Sequence, residues 1–157
     1  VTPEELERLR LASGLSMDAD GRLRHEGTVV EHPRVVAMLR RGLGRSSDGR
    51  PIVRFGTTWG YLDVADALYR VTSAALDAPE APEVCRVRLD DDSDETVPLV
   101  AGRIGLRSDG VLALRVKDGT EWARCLPAAH AVLGALVTDD APALLTTAHG
   151  AVALEVL

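Results

Sequence analysis

The chain has 157 residues and a formal net charge of −6; 46% of its side chains are hydrophobic and only 3% are aromatic. An acidic chain of this kind is no general nucleic-acid binder, because that affinity comes from neutralising phosphates, and no apolar run approaches the roughly 18 residues that a membrane helix needs. Leu, Val and Ala must build the core of one domain or of two small ones that share it, and such small side chains bury little area each, so modest stability or help from a partner subunit is expected.

Thr2, Pro3, Glu4 and Glu5 read as a helix start: a capping hydroxyl, a proline at the first helical position, and acids at the positive end of the dipole. Leu6 and Leu9 share one face of this helix, and Gly14 closes it. Its charged character is unlike a signal peptide, and the expected location is the cytoplasm. Cys85 and Cys125 lie far apart without metal-type spacing, so two reduced thiols are the plain expectation and a single disulfide the alternative.

Two short alternating runs flank Asp20-Gly21, a hairpin signal. A helix then opens at Pro33, with Val35, Val36, Met38, Leu39, Gly42 and Leu43 along one stripe and Gly44 as its stop. Asp48-Gly49 makes a turn before a strand over Ile52–Phe55, GTTWG reads as a tight turn, and YLDV as the returning strand. Further strands are expected over Leu68–Leu76, in VCRVRLD, whose alternation marks a half-exposed strand, and in TVPLVAG. The chain ends with a hairpin around Asp109-Gly110, a helix opening near Pro127 with Ala129, Val132, Leu133, Leu136 and Val137 on its stripe, and two strands joined at His149-Gly150.

The order of these marks repeats. Asp20-Gly21 matches Asp109-Gly110, Gly27-Thr28 matches Gly119-Thr120, Pro33 matches Pro127, Leu39 matches Leu133, Pro51 matches Pro142, and Gly60 matches Gly150, at offsets of 89 to 94 residues. The expected fold is α+β, built from two related β-rich halves by internal duplication, each with hairpin strands and one helix. The expected divisions are an N-terminal helix over 1–14, a first repeat over 15–83, and a second over 84–157 that shares a core with the first.

The stretch DADGRLRHEGTVVEHPRVVAMLRRGL, the turn-rich strands after it, and WGYLDVADALYRV resemble the uncharacterised bacterial family known as domain of unknown function 1285. Asp66-Ala67 keeps part of that family's closing segment, while Leu68-Tyr69 replaces its Pro-Phe pair. The resemblance covers roughly residues 15 to 100, and the rest by order of elements alone. It implies two related halves, the second loosely like a pleckstrin-homology fold, a site for a small or nucleotide-like ligand between the halves, and a signalling role. It carries over no catalytic residues.

Trp59 and Tyr61, two apart, face one side of a strand. With Arg54 they could hold a planar anionic ligand, or they could plug the end of a core short of large residues. Trp122 is open to the same two roles at the seam, and Arg24 with His25 is a weaker candidate facing it. Arg40, Arg41, Arg45, Arg50 and Arg54 crowd the end of a helix and its following strand, where cations suit the helix terminus. A phosphate or carboxylate clamp is the alternative role. His32 is placed to cap its helix. The acidic run from Asp90 to Glu95 lacks the glycine and terminal glutamate of a calcium loop. Nucleophile elbow and Walker loop are both missing, so neither a cofactor, a metal nor catalysis is expected. The remaining reading is a small-ligand-binding or sensing module. The alternative is a protein-interaction module, a homodimer among its forms, docking through a sheet edge or the N-terminal helix.

Overall fold

The computed structural model describes residues 2–157. The chain forms two compact units, one ending at Leu68 and one spanning Tyr69–Leu157.

The first unit opens with α1 (Pro3–Leu11). Thr2 Oγ1 accepts from the Glu5 amide at 3.1 Å while the Glu5 carboxylate accepts from the Thr2 amide at 2.7 Å, a reciprocal cap that starts a short helix. Strands β1 (Leu15–Met17), β2 (Leu23–His25) and β3 (Thr28–Val29) follow. The first turn is held by the Asp18 carboxylate, which accepts from the amides of Asp20 and Arg22. The second is a two-residue loop in which Glu26 and Gly27 both take positive φ, 51° and 84°, the backbone that matches hairpin twist.

Helix α2 (Pro33–Arg41) opens at Pro33 as its sequence indicates. His32 makes no side-chain cap there, so the capping expectation for it is corrected. The helix stops at Gly42, and the next three residues form a strand, β4 (Leu43–Arg45), rather than extending the stripe. Strands β5 (Pro51–Phe55), β6 (Thr58–Tyr61) and β7 (Asp63–Val64) complete the unit. GTTWG is thus only partly a turn: Trp59 and Gly60 sit inside β6, paired with Arg54 and Val53. The sheet orders are β3-β2-β1-β7, with β7 parallel to β1, and β4-β5-β6, antiparallel throughout. Met17, Leu23, Leu39, Ile52 and Val53 form the buried core of this unit.

The second unit contains β8 (Tyr69–Leu76), β9 (Val84–Leu89), β10 (Asp94–Pro98), β11 (Ile104–Leu106), β12 (Leu112–Val116), β13 (Glu121–Cys125), α3 (Pro127–Gly134), β14 (Leu144–Thr147), β15 (Gly150–Ala153) and β16 (Glu155–Val156). Seven of these strands make one sheet in the order β10-β9-β8-β13-β12-β11-β16, and β14 with β15 makes a hairpin. Sequence order placed β8 with the first repeat; its hydrogen bonds set it between β9 and β13, in the second unit's sheet. In β9 the alternation is as read, with Cys85, Val87 and Leu89 buried and Arg86 and Arg88 exposed. Leu112, Ala113 and Leu114 are all buried, marking a strand covered on both faces.

The protein is α+β, and a stretch of each unit, β1–β7 and β11–β16, runs in a similar order, although α1 and β4 have no counterpart in the second unit and β8, β9 and β10 none in the first. In each stretch a hairpin and a third strand lead to a proline-opened helix, then to a hairpin (β5–β6 and β14–β15), then to a short strand parallel to the stretch's first: Ser16 pairs with Asp63, and Gly105 with Glu155. The Gly60–Gly150 match does not survive in register, because Gly150 lies at the β14–β15 turn with φ 98° while Gly60 is mid-strand.

Candidate functional site

Gly42 and Gly44 lie against Arg54, which lines a cleft in the first unit. A side chain at Gly42 would meet the Arg54 carbonyl oxygen at 2.0 Å, so α2 can hand over to β4 against β5 only with glycine there. At Gly44 an added Cβ would meet the Arg54 guanidinium at 2.7 Å. The Arg54 side chain therefore lies across a bare stretch of backbone, beside its cross-strand neighbour Trp59. Trp59 and Tyr61, two residues apart on β6, stand edge to face with ring centroids 5.2 Å apart, a favoured aromatic geometry.

Helix α1 closes the cleft with its polar side. Arg10 stacks its guanidinium 3.8 Å from the Trp59 ring centre, and Glu7 Oε1 accepts the Tyr61 hydroxyl at 2.9 Å. Arg50 covers the Tyr61 ring at 3.7 Å. The apolar residues Leu6, Leu9 and Leu11 are exposed, Leu9 by 65%. The shared face of Leu6 and Leu9 is thus the outward one. The resulting cleft holds about 460 Å³ and is lined by Glu7, Arg10, Asp48, Arg54, Trp59 and Tyr61, together with Ser46, Ser47 and Ile52. That volume suits a small molecule.

Charges within it are not cancelled in pairs. Among the described residues neither Arg10 nor Arg54 has a carboxylate partner, and Arg10 Nε is buried without a hydrogen-bond acceptor. Asp48 accepts a short hydrogen bond from Ser46 Oγ, which is the main cause holding its carboxyl below the ordinary range. The hydrogen bond to Glu7, then burial and the negative charge of Glu7, raise the Tyr61 phenol above its usual value.

The structure thus brings Arg54, Trp59 and Tyr61 together, and adds Glu7 and Arg10. Sequence reading passed over those two because Leu6 and Leu9 drew the helix face; the signal was the i, i+3 spacing of Glu7 and Arg10. Arg24 and His25 lie elsewhere, on β2. Arg24 donates to the Gly27 carbonyl at 3.1 Å and pairs with Asp18 at 3.4 Å, and His25 is exposed. Trp122 belongs to the second unit, on β13, where Arg115 covers its ring at 4.7 Å. Of the remaining arginines in the sequence cluster, Arg40 donates to the Gly21 carbonyl and Arg45 to that of Gly49, which are structural ties.

No protein-family model matches the sequence, and neither does any curated protein. Solved structures do. A protein of the DUF1285 family from Silicibacter pomeroyi DSS-3 superposes with a TM-score of 0.70 at 15% identity, over 90% of this chain and 79% of that one. The fold is that of DUF1285 family proteins. A second such protein, from Shewanella baltica OS155, superposes with a TM-score of 0.55 at 16% identity, over 74% of this chain and 86% of that one. The DUF1285 resemblance drawn from the turn and helix-start residues is therefore matched by the fold. Among the described residues no helix is long and apolar enough to cross a membrane.

Proposed function

We propose that the first unit binds a small anionic ligand in the cleft beside Trp59, with Arg10 and Arg54 as the recognising groups. One observation carries this reading: both guanidiniums line a cleft of small-molecule size without a carboxylate partner among the described residues. Stacking on Trp59 holds the Arg10 fork in place, and the bare backbone at Gly44 gives Arg54 its berth. Such preorganised forks suit carboxylate and phosphate groups and lose little freedom on binding. The aromatic faces already carry arginines, so the rings orient the clamp rather than stack on a ligand. In this reading the protein is a sensing module of the cytoplasm, where two cysteines stay free thiols, and the shared element order of its units derives from duplication.

Isothermal calorimetry with succinate and with inorganic phosphate tests the reading. Saturable binding of at least one probe, lost in Arg54→Met, is the expected result. No heat from either probe at millimolar concentration overturns it. A second reading, a protein-docking face on α1, has the exposed Leu6, Leu9 and Leu11 in its favour.

A further inference from the structure

Glu7 and Arg10 stand one turn apart on α1, a spacing at which opposite charges ordinarily pair. Here each is diverted: Glu7 accepts the Tyr61 hydroxyl at 2.9 Å, and Arg10 lies on Trp59 at 3.8 Å. The cleft is divided in consequence. Arg10 lies on the Trp59 ring, and Arg54, cross-strand from Trp59, carries its guanidinium over Gly44 in the same cleft. Glu7 lies at the Tyr61 end, and Asp48, whose negative charge also reaches the Tyr61 phenol, lines the same cleft. Arg50 sits over the Tyr61 ring at 3.7 Å, where its charge acts on Asp48, and lines a neighbouring hollow with Ser16 and Asp63. The two rings that separate the ends have centroids 5.2 Å apart.

We propose that the ligand of this cleft is a small zwitterion, its carboxylate held by Arg10 and Arg54 and its protonated amine by Glu7 and Asp48. This rests on the anion-binding reading above and names the chemical class. A simple anion would satisfy the guanidiniums yet bring its charge close to two carboxylates, which costs affinity. A ligand with both charges, spaced by a few carbons, meets complementary groups at each end. The amine also replaces lost water with charge-assisted hydrogen bonds to Glu7 and Asp48.

The test compares 4-aminobutyrate with butyrate and with butylamine by calorimetry on the full chain. The expected result is binding of 4-aminobutyrate about tenfold or more tighter than either half-molecule. In Glu7→Gln, which keeps an oxygen to accept from Tyr61, butyrate binds more tightly because a repelling carboxylate is gone, and the advantage of 4-aminobutyrate falls several-fold. Equal affinity for 4-aminobutyrate and butyrate overturns the zwitterion proposal and leaves the anion reading standing. So does saturable phosphate binding with no response to 4-aminobutyrate. Silence from every probe, succinate and phosphate included, overturns both.

Discussion

Gly42→Ala is the substitution for which the structure predicts most. The backbone at Gly42 has φ −85°, which any L-residue adopts, so alanine brings no conformational strain there. The penalty is steric alone. The added Cβ would sit 2.0 Å from the Arg54 carbonyl oxygen, and real contacts of this kind essentially never fall below 3.0 Å, so β5 must retreat by about 1 Å. Backbone cannot swing aside as a side chain can, and the 2.8 Å hydrogen bond from the Arg54 amide to the Gly42 carbonyl stretches with it. Overpacking of this sort costs ~1–3 kcal/mol and a weakened hydrogen bond about 1 kcal/mol more. A loss of ~3 kcal/mol lowers the urea midpoint by about 1.5 M at a slope of ~2 kcal/mol/M. Two controls sharpen the result. At Gly49 nothing lies within 4 Å of a new Cβ but φ is 86°, so Gly49→Ala costs only ~1–2 kcal/mol. At Gly44 the obstacle is the tip of Arg54, so Gly44→Ala leaves the midpoint nearly unchanged and displaces the guanidinium. An unchanged urea midpoint in Gly42→Ala would refute the packing described for α2, β4 and β5.

Arg70 is 2% exposed and pairs with Asp90 at 3.1 Å; Arg70→Met leaves a carboxylate in a partly buried site and is expected to cost ~3–5 kcal/mol in chemical denaturation. His130 Nδ1 accepts the Leu112 amide at 3.2 Å, so His130→Leu strands a buried N–H and should cost ~1–3 kcal/mol by the same assay. Burial pushes the Asp91 carboxyl up, but hydrogen bonds from Lys117 and Ser93 outweigh it and hold the group below 3.8. A depressed folded value means stability present above about pH 4 and lost as pH falls through that value. Lys117→Met should therefore destabilise at pH 6 and differ progressively less from the parent below about pH 3.8, whereas a gap constant with pH would count against the ion pair. Burial pushes the Cys85 and Cys125 thiols up to about 11 and about 12, so both should resist a thiol reagent at pH 8 until the chain unfolds; fast labelling of native protein would contradict this burial.

Much of the fold was legible because turns declare themselves. Asp20-Gly21, Asp109-Gly110, Pro33 and Pro127 each force a local geometry, and each marks its element in the structure. The short strand β4 was not legible, since Leu43 continues the helical stripe of Leu39 and only the close approach of Gly42 to Arg54 ends the helix. Trp59 was found by residue type, Tyr61 by strand periodicity, and Arg54 as a member of the arginine cluster beside them. Glu7 and Arg10 were not found, because α1 presents its charged side to β6 and its leucines outward, against the pattern that amphipathic helices follow. Pairing across sheets was the other blind spot: β8 joins β13 in parallel, Ala123 opposite Tyr69, and nothing local to either strand announces it.

The most direct test of the cleft is fluorescence of Trp59, one of two tryptophans in the chain. In a Trp122→Phe background, titration with succinate or 4-aminobutyrate should change Trp59 emission saturably, because a ligand drawing on the stacked Arg10 alters the ring's surroundings. Arg54→Met should abolish the change while the protein stays folded. Emission indifferent to every probe, or a response that survives Arg54→Met unaltered, would contradict the account.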